Sequence, residues 1–597
     1  MAWTLIRGGT VVDGTGSPPF QADVCIRDGV IDAVGPDLSA PEGAQVMDAA
    51  GKLITPGFIN MHSHSDCSAA MYPNMESTLG QGITTEFAGH CGLGVAPVQH
   101  SWLYMFPEKK AFTKVMPEPP GGINPYNAYL VPTQRLREPF AQTYGQELDW
   151  TTYGQFLEHL RRVGLGANLA VVAGQAQIRL QAMGTDYHRD ATETEIAAME
   201  GALSEAMDGG ALGLSLGLDY EPGLFAGREE LLRLMKLVAA RGGIVTAHTR
   251  SRSHPYYGHT QSFLDGLREF LDLGRESGVR IHVSHIQNGY NVTPAHDGLI
   301  RAAVAKTLEE LDRARQAGVN VTWDVIPKYA YGPFHYPMAA SLFQPYVERC
   351  GGCAAFSRAL TLPDFRRQVV EEIRTGRHPS QGVFTRFDPQ ADPDWDTRYR
   401  FTRVQRAGCV GKTIREAAQG ADSLELLLDV LIEDPYAAMI SLGRRPEHTP
   451  DRDAFVARTE ATIGLDTWTL DYDAALSEGD LPLECGSPAT YEGHLVPSLS
   501  MFNKGAAIEE TIRKLTGNAA RTLGLTDRGF VSSGMSADLL VLDWEHFSAR
   551  ENLADPRHGP QGLDYVLVAG QTAVDHGVHT HVRSGTVLGP EHRKGGN

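Results

Sequence analysis

The chain has 597 residues, 42% hydrophobic and 21% charged, which is enough for a sizeable core in more than one domain and too apolar for a disordered chain. Its 72 acidic residues exceed its 53 basic ones and leave a net charge of −19; a surface of that sign repels phosphate backbones and anionic lipid, so neither nucleic acid nor membrane is an expected partner. There is no apolar run long enough to cross a bilayer, no secretory signal at the start, and seven cysteines, an odd number that makes no disulfide framework. The expectation is a cytoplasmic enzyme acting on a small molecule, with homo-oligomerisation left open.

Residues 1–56 read as short strands and turns. Leu5–Ile6 and Thr10–Val12 form one apolar run ended by Asp13-Gly14, and Val24–Ile26 is followed by a hairpin signal, Asp28-Gly29, before Val30-Ile31. From Pro56 short β-branched runs alternate with amphipathic helices. Strands are expected near Gly57–Met61, Ile83–Phe87, Asn168–Ala173, Ala211–Leu216, Gly243–Ala247, Arg280–Ser284, Val319–Asp324 and Thr462–Leu465. The clearest helices are Glu193–Asp208 and Glu229–Ala240. This rhythm predicts an α/β chain whose residues 57–500 form a closed parallel (β/α)8 barrel, with insertions near 98–151 and 326–459. Both insertions follow the C-terminal ends of strands, the face on which barrel active sites lie. The second begins in an aromatic stretch (Trp323, Tyr329, Tyr331, Phe334, Tyr336) and is expected to fold over the mouth. Residues 501–597 return to β character, with Ala537–Asp543 and Tyr565–Ala569 as strands, and are expected to complete one β-sandwich with residues 1–56. The tail from Gly589 is expected to fray.

The strongest chemical signal is His62-Ser63-His64 after Gly57-Phe58-Ile59-Asn60-Met61. Two histidines at i and i+2 on a strand point to the same side, an arrangement suited to a metal. Single histidines end two later runs, His248 after Ile244–Ala247 and His285 after Ile281–Ser284, and strand ends of one barrel converge. Cys91 lies between glycines in Gly89-His90-Cys91-Gly92, where tight turns can bring its sulfur inward; His90 is expected to point elsewhere. Asp466 follows Ile463-Gly464-Leu465, well placed to move a proton opposite a metal. His579-Thr580-His581 repeats the two-histidine spacing with no further ligand candidates nearby in sequence, and is expected to be plain surface. Cys350-Gly351-Gly352-Cys353 lacks the second pair that a four-ligand zinc site needs, and is expected to be structural.

These motifs together (PGFINMHSH, GHCGLGVAP, GALGLSLGLDYEPG, HTR, SH and IGLD) resemble the amidohydrolase superfamily, and within it the D-aminoacylase branch of N-acyl-D-amino-acid deacylases. The resemblance implies one or two zinc ions held by His62, His64, Cys91, His248 and His285. It implies Asp466 as general acid and base, and it places Tyr220, Arg250 and Gln287 at the substrate. It also implies the barrel with its composite sandwich. Two cations of that branch have no counterpart here: Gln287 stands where the deacylases carry lysine, and the stretch after Asp466, TWTLDYDAALSEGDLPLECGSPATYEG, holds neither lysine nor arginine. A bidentate arginine contact to a carboxylate is not replaced by an amide. The expected activity is therefore zinc-dependent hydrolysis of a C–N bond, most simply a linear N-acyl amide, with altered recognition of the substrate carboxylate. The alternatives are a hydrolase of a cyclic amide, imide or other non-amino-acid amide, and a non-catalytic scaffold.

Overall fold

The structure, a computed structural model, describes residues 2–98, 101–103, 130–219, 221–250, 263–287, 296–326, 339–377, 389, 393–441, 450–473, 477–478, 481–482, 507–548, 550 and 557–593. It is an α/β architecture whose centre is two parallel sheets. One runs Val587–Leu588, Asn168–Val171, Ile83–Ala88, Phe58–Ser63. The other runs Ala173–Gly174, Gly213–Gly217, Ile244–His248, Arg280–Val283, Val321–Val325, Ala461–Ile463. Hydrogen bonds join the sheets at both margins. Leu212 N–H donates to Val171 O at 2.7 Å, and Asp466 N–H to His62 O at 2.9 Å.

These segments are strands because they are apolar on both faces. Every residue of Phe58–Ser63, Ile83–Ala88, Gly213–Gly217 and Ile244–His248 is buried, the pattern of a parallel sheet covered by helices. The helices between them announce their starts: Thr152 with Gln155 and Thr192 with Glu195 make capping boxes that open Tyr153–Val163 and Glu193–Gly209.

The two chain ends share a nine-stranded sheet. Leu539–Leu542 pairs antiparallel with Leu53–Pro56, which pairs in turn with Trp3–Val11. The hairpin between Phe20–Arg27 and Val30–Gly35 turns at Asp28 and Gly29, with φ of 49° and 84°, the doubly left-handed turn that an Asp-Gly pair favours. Residues from both ends, among them Ile6, Val24, Ile54, Leu539 and Leu567, form its core.

The C-terminal segment also departs from the all-β expectation. Gly517–Leu523 packs Ala519, Ala520 and Leu523 on Ile59, Met61 and Phe87, and Val587–Leu588 joins the parallel sheet. Within the tail, residues 589–593 are anchored rather than frayed: His592 lies 2.8 Å from Asp527 and the Arg593 guanidinium donates to Gly242 O. Residues 339–441 of the second insertion carry a separate apolar core that includes Phe343, Phe356, Phe401 and Leu427. Cys353 belongs to that core, and Cys350 packs against it. Trp323 is buried in the main core, donating to Phe455 O, and so is not part of an aromatic mouth; Tyr329, Tyr331, Phe334 and Tyr336 lie outside the described residues.

Candidate active site

Five potential ligands and one carboxylate meet at the C-terminal ends of the parallel strands. Cys91 Sγ is 3.5 Å from His62 Nε2, 3.4 Å from His285 Nε2 and 3.9 Å from His248 Nδ1. Asp466 Oδ1 is 3.3 Å from His62 Nε2 and 3.1 Å from His64 Nε2. Donor atoms of His62, His64, Cys91 and Asp466 lie within 4.8 Å of one another, as do those of Cys91, His248 and His285. Cys91 is thus common to two adjoining sets. All six residues are buried.

Local backbone shape puts them there. Cys91, His285 and Asp466 hold left-handed conformations, with φ of 59°, 39° and 57°. Such strain in non-glycine residues persists only where the surroundings impose it. Gly464 permits the close approach of the last strand: a Cβ there would fall 2.4 Å from the His62 Cβ and 2.6 Å from Asp324 Oδ2. Asn60 Oδ1 accepts both His62 N–H (3.3 Å) and Leu465 N–H (2.9 Å), which fixes the first strand to the last beside the site.

A ring of acids that the sequence reading passed over orients the imidazoles. Asp324 Oδ1 is 3.3 Å from His62 Nδ1 and 3.1 Å from His282 Nε2, and its Oδ2 accepts the His285 N–H at 2.9 Å. Asp219 Oδ2 is 3.3 Å from His248 Nε2. Their signal was an acidic residue at or just past the end of a buried strand. His90 is turned away from Cys91: its Nδ1 lies 3.2 Å from Ser284 Oγ. Burial, reinforced by neighbouring His62, holds its imidazolium well below the usual histidine range.

Burial alone would raise the Cys91 thiol, yet the imidazoles of His62, His285 and His248 pull it well below its ordinary value, toward thiolate. Asp466 is likewise held well below the carboxylate range against burial, by His62, His64 and His285. These donors suit a zinc-type ion. Zinc–sulfur and zinc–nitrogen bonds in a tetrahedron set S···N edges of roughly 3.5 Å, close to the spacing around Cys91. Among the described residues, buried His64 Nδ1 has no hydrogen-bond partner.

The expected substrate-side residues are Arg250, Gln287 and Tyr220. The Arg250 guanidinium is engaged by Glu269 (2.9 Å), Leu224 O (2.6 Å) and Ala226 O (3.0 Å), so it braces the segment just beyond the strand Ile244–His248. Gln287 is half-buried just past His285, and Tyr220 lies outside the described residues. His579 is also not plain surface, since it is buried beside Glu76.

A model of the amidohydrolase family matches residues 45–322. N-acyl-D-glutamate deacylase of Alcaligenes xylosoxydans xylosoxydans is 27% identical over 590 residues, 98% of this chain and 96% of that protein. D-aminoacylase of the same organism is 25% identical over 584 residues, 98% and 97% of the two chains. Among solved structures, N-acyl-D-glutamate deacylase from Bordetella bronchiseptica, complexed with zinc and a phosphonate inhibitor that mimics the tetrahedral intermediate, superposes with a TM-score of 0.66 at 23% identity, covering 98% of this chain and all of that one (100%). Family match over residues 45–322, end-to-end relatives and shared fold agree with the histidine, cysteine and aspartate constellation: the chain resembles the amidohydrolase family and its D-aminoacylase branch, and it is an enzyme that hydrolyses carbon–nitrogen bonds other than peptide bonds.

Proposed function

We propose that the chain is a zinc-dependent hydrolase of linear N-acyl amides, D-aminoacylase-like in its chemistry, with the two parallel sheets closed into one (β/α)8 barrel around the site. The observation that carries the reading is Cys91, a buried sulfur flanked by the imidazoles of His62, His248 and His285 with Asp466 alongside. His62, His64, Cys91, His248 and His285 would hold one or two zinc ions. Bound zinc supplies Lewis acidity, polarising a carbonyl oxygen and acidifying water.

The remaining chemistry belongs to the chain. Asp466, kept ionised by His62 and His64, takes the proton from the attacking water on its carboxylate as the oxygen adds to the carbonyl carbon. It then gives that proton to the nitrogen as the C–N bond breaks, so the amine leaves neutral. Asp324 and Asp219 hold the ring orientations that this geometry needs. The low-dielectric surroundings of buried Leu93, Leu218 and Trp468 strengthen each of these contacts.

Recognition of the acyl-bearing partner differs from that of a deacylase binding a free amino-acid carboxylate. Gln287 replaces a cation, and the Arg250 guanidinium is already bound to Glu269 and two carbonyls. The same observation favours a second reading, hydrolysis of a neutral or cyclic amide. A panel of N-acyl-D-amino acids, their neutral carboxamides and cyclic imides, run on zinc-loaded protein, tests both. Faster turnover of a neutral linear amide than of its carboxylate parent is expected. Preference for the free carboxylate would overturn the altered recognition, and activity confined to cyclic imides would replace the first reading by the second. Cys91→Ala should lose zinc and activity together; full zinc occupancy in that variant would remove Cys91 from the ligand set.

A further inference from the structure

A second cluster of metal-binding side chains lies where the C-terminal segment meets the loops around the parallel strands. His579 ends the short strand Val578–His579, and its side chain is 4% exposed; the His581 side chain, two residues on, is 64% exposed. Their Nδ1 atoms lie 4.0 Å and 3.3 Å from the same oxygen, Glu76 Oε1. Glu76 is buried and opens the short helix Glu76–Leu79. One donor atom from each of the three lies within 4.8 Å of the other two. Zinc–nitrogen and zinc–oxygen bonds set edges of roughly 3.3 Å in a tetrahedron, with one position left for water; the His581–Glu76 distance equals that edge and the His579–Glu76 distance of 4.0 Å exceeds it by less than 1 Å.

The protonation pattern suits a cation. The His581 N–H donates to His579 Nδ1 at 2.9 Å, so that nitrogen carries a lone pair and the ring proton sits on Nε2. The His581 amide belongs to an exposed residue, and water can accept its N–H when the His579 lone pair turns to a metal. His581 itself is held at a φ of 62°, which aims its ring back at Glu76. Acidic groups lie close to the cluster among the described residues. Asp471 Oδ1 accepts the Glu76 N–H at 3.3 Å. Asp473 adds to this field, and Arg583, bound to Asn74 Oδ1 at 2.8 Å, is the cation that opposes it among the described residues.

We propose that Glu76, His579 and His581 form a divalent-cation site of the zinc class, distinct from the Cys91 centre, that clamps the C-terminal hairpin to the loops following His64 and Asp466. The clamp reaches the second loop directly, because Tyr472 N–H donates to Glu76 Oε2 at 2.7 Å. Its chemistry is that of a borderline ion with nitrogen and carboxylate ligands, zinc or cobalt rather than calcium or magnesium.

The test is metal counting on the full chain, stripped with chelator and refilled with zinc or with cobalt. His581→Ala, which alters an exposed side chain, should bind one equivalent less than the wild type and lose part of the metal-induced rise in Tm. Glu76→Gln should repeat the loss. Refilled with cobalt, both variants should keep the near-ultraviolet thiolate-to-cobalt band that marks Cys91. Equal metal content in the folded wild type and His581→Ala would overturn the site. So would loss of the thiolate band with the missing equivalent, since that ion would then belong to the Cys91 centre.

Discussion

Replacing Asp466 by Asn isolates its proton-transfer role. The substitution keeps the size of the side chain, and the backbone favours it: at φ 57° Asn is among the few residues that tolerate the left-handed region, whereas Ala there costs about 1–2 kcal/mol. The amide oxygen introduced by Asp466→Asn can still accept from a His64 or His62 ring N–H, so the contacts at 3.1 and 3.3 Å survive in weakened form while the proton acceptor is lost. Loss of general acid–base catalysis lowers turnover by about two to four orders of magnitude, equivalent to about 3–5 kcal/mol of transition-state stabilisation. Zinc content and substrate affinity should change little, because all five ligands remain. Zinc content, substrate Kd and kcat are measured on the same preparation of Asp466→Asn, with Asp466→Ala beside it to expose the backbone cost as a further drop in Tm. A zinc-loaded Asn variant with wild-type kcat would refute the assignment and move the acid–base group elsewhere.

Asp324→Asn should lower zinc affinity by about 10–100-fold, since the carboxylate that orients His62 and accepts the His285 amide is lost; competition against a chelator reads it, and unchanged affinity would make Asp324 a packing residue only. Glu86 is buried, and burial raises it from an ordinary 4.5 to about 7 despite hydrogen bonds from Ser63, Thr78 and Asn60. Above pH 4.5 the unfolded chain ionises there while the fold resists, so stability falls until about pH 7 and is level beyond; the gap corresponds to about 3 kcal/mol. Glu86→Gln has no such titration, so its Tm should gain on the wild type between about pH 5 and pH 8, and a pH-independent Tm difference would contradict this.

The parallel strands were legible because burial on both faces writes them as unbroken β-branched runs, and strands such as Ile244–His248 begin within a residue of where the sequence places them. His62, His64, Cys91, His248, His285 and Asp466 were legible as residues that end strands, and the structure brings them together. Residues whose role is set by distant partners were less so. Asp324 reads in sequence as one acid in a strand, and only folding sets it against His62, His282 and His285. The resemblance places Arg250 at the substrate, and only folding shows Glu269 beside its guanidinium. The His579–His581 pair looked isolated because its carboxylate, Glu76, comes from the opposite end of the chain.

The pairing of Leu53–Pro56 with Leu539–Leu542 has a consequence for synthesis on the ribosome. Lys52 and Asp564, which meet across this part of the fold, are 512 residues apart. At about 5–20 residues per second, the early strand waits on the order of half a minute to more than a minute and a half for its C-terminal neighbour. Throughout that interval one edge of Leu53–Pro56, next to the strand that carries His62 and His64, offers unpaired amide and carbonyl groups, the kind of surface that recruits wrong partners. The nascent chain is therefore a natural client for a chaperone that covers its N-terminal sheet. A chain cut short before residue 539 would leave that edge open for good.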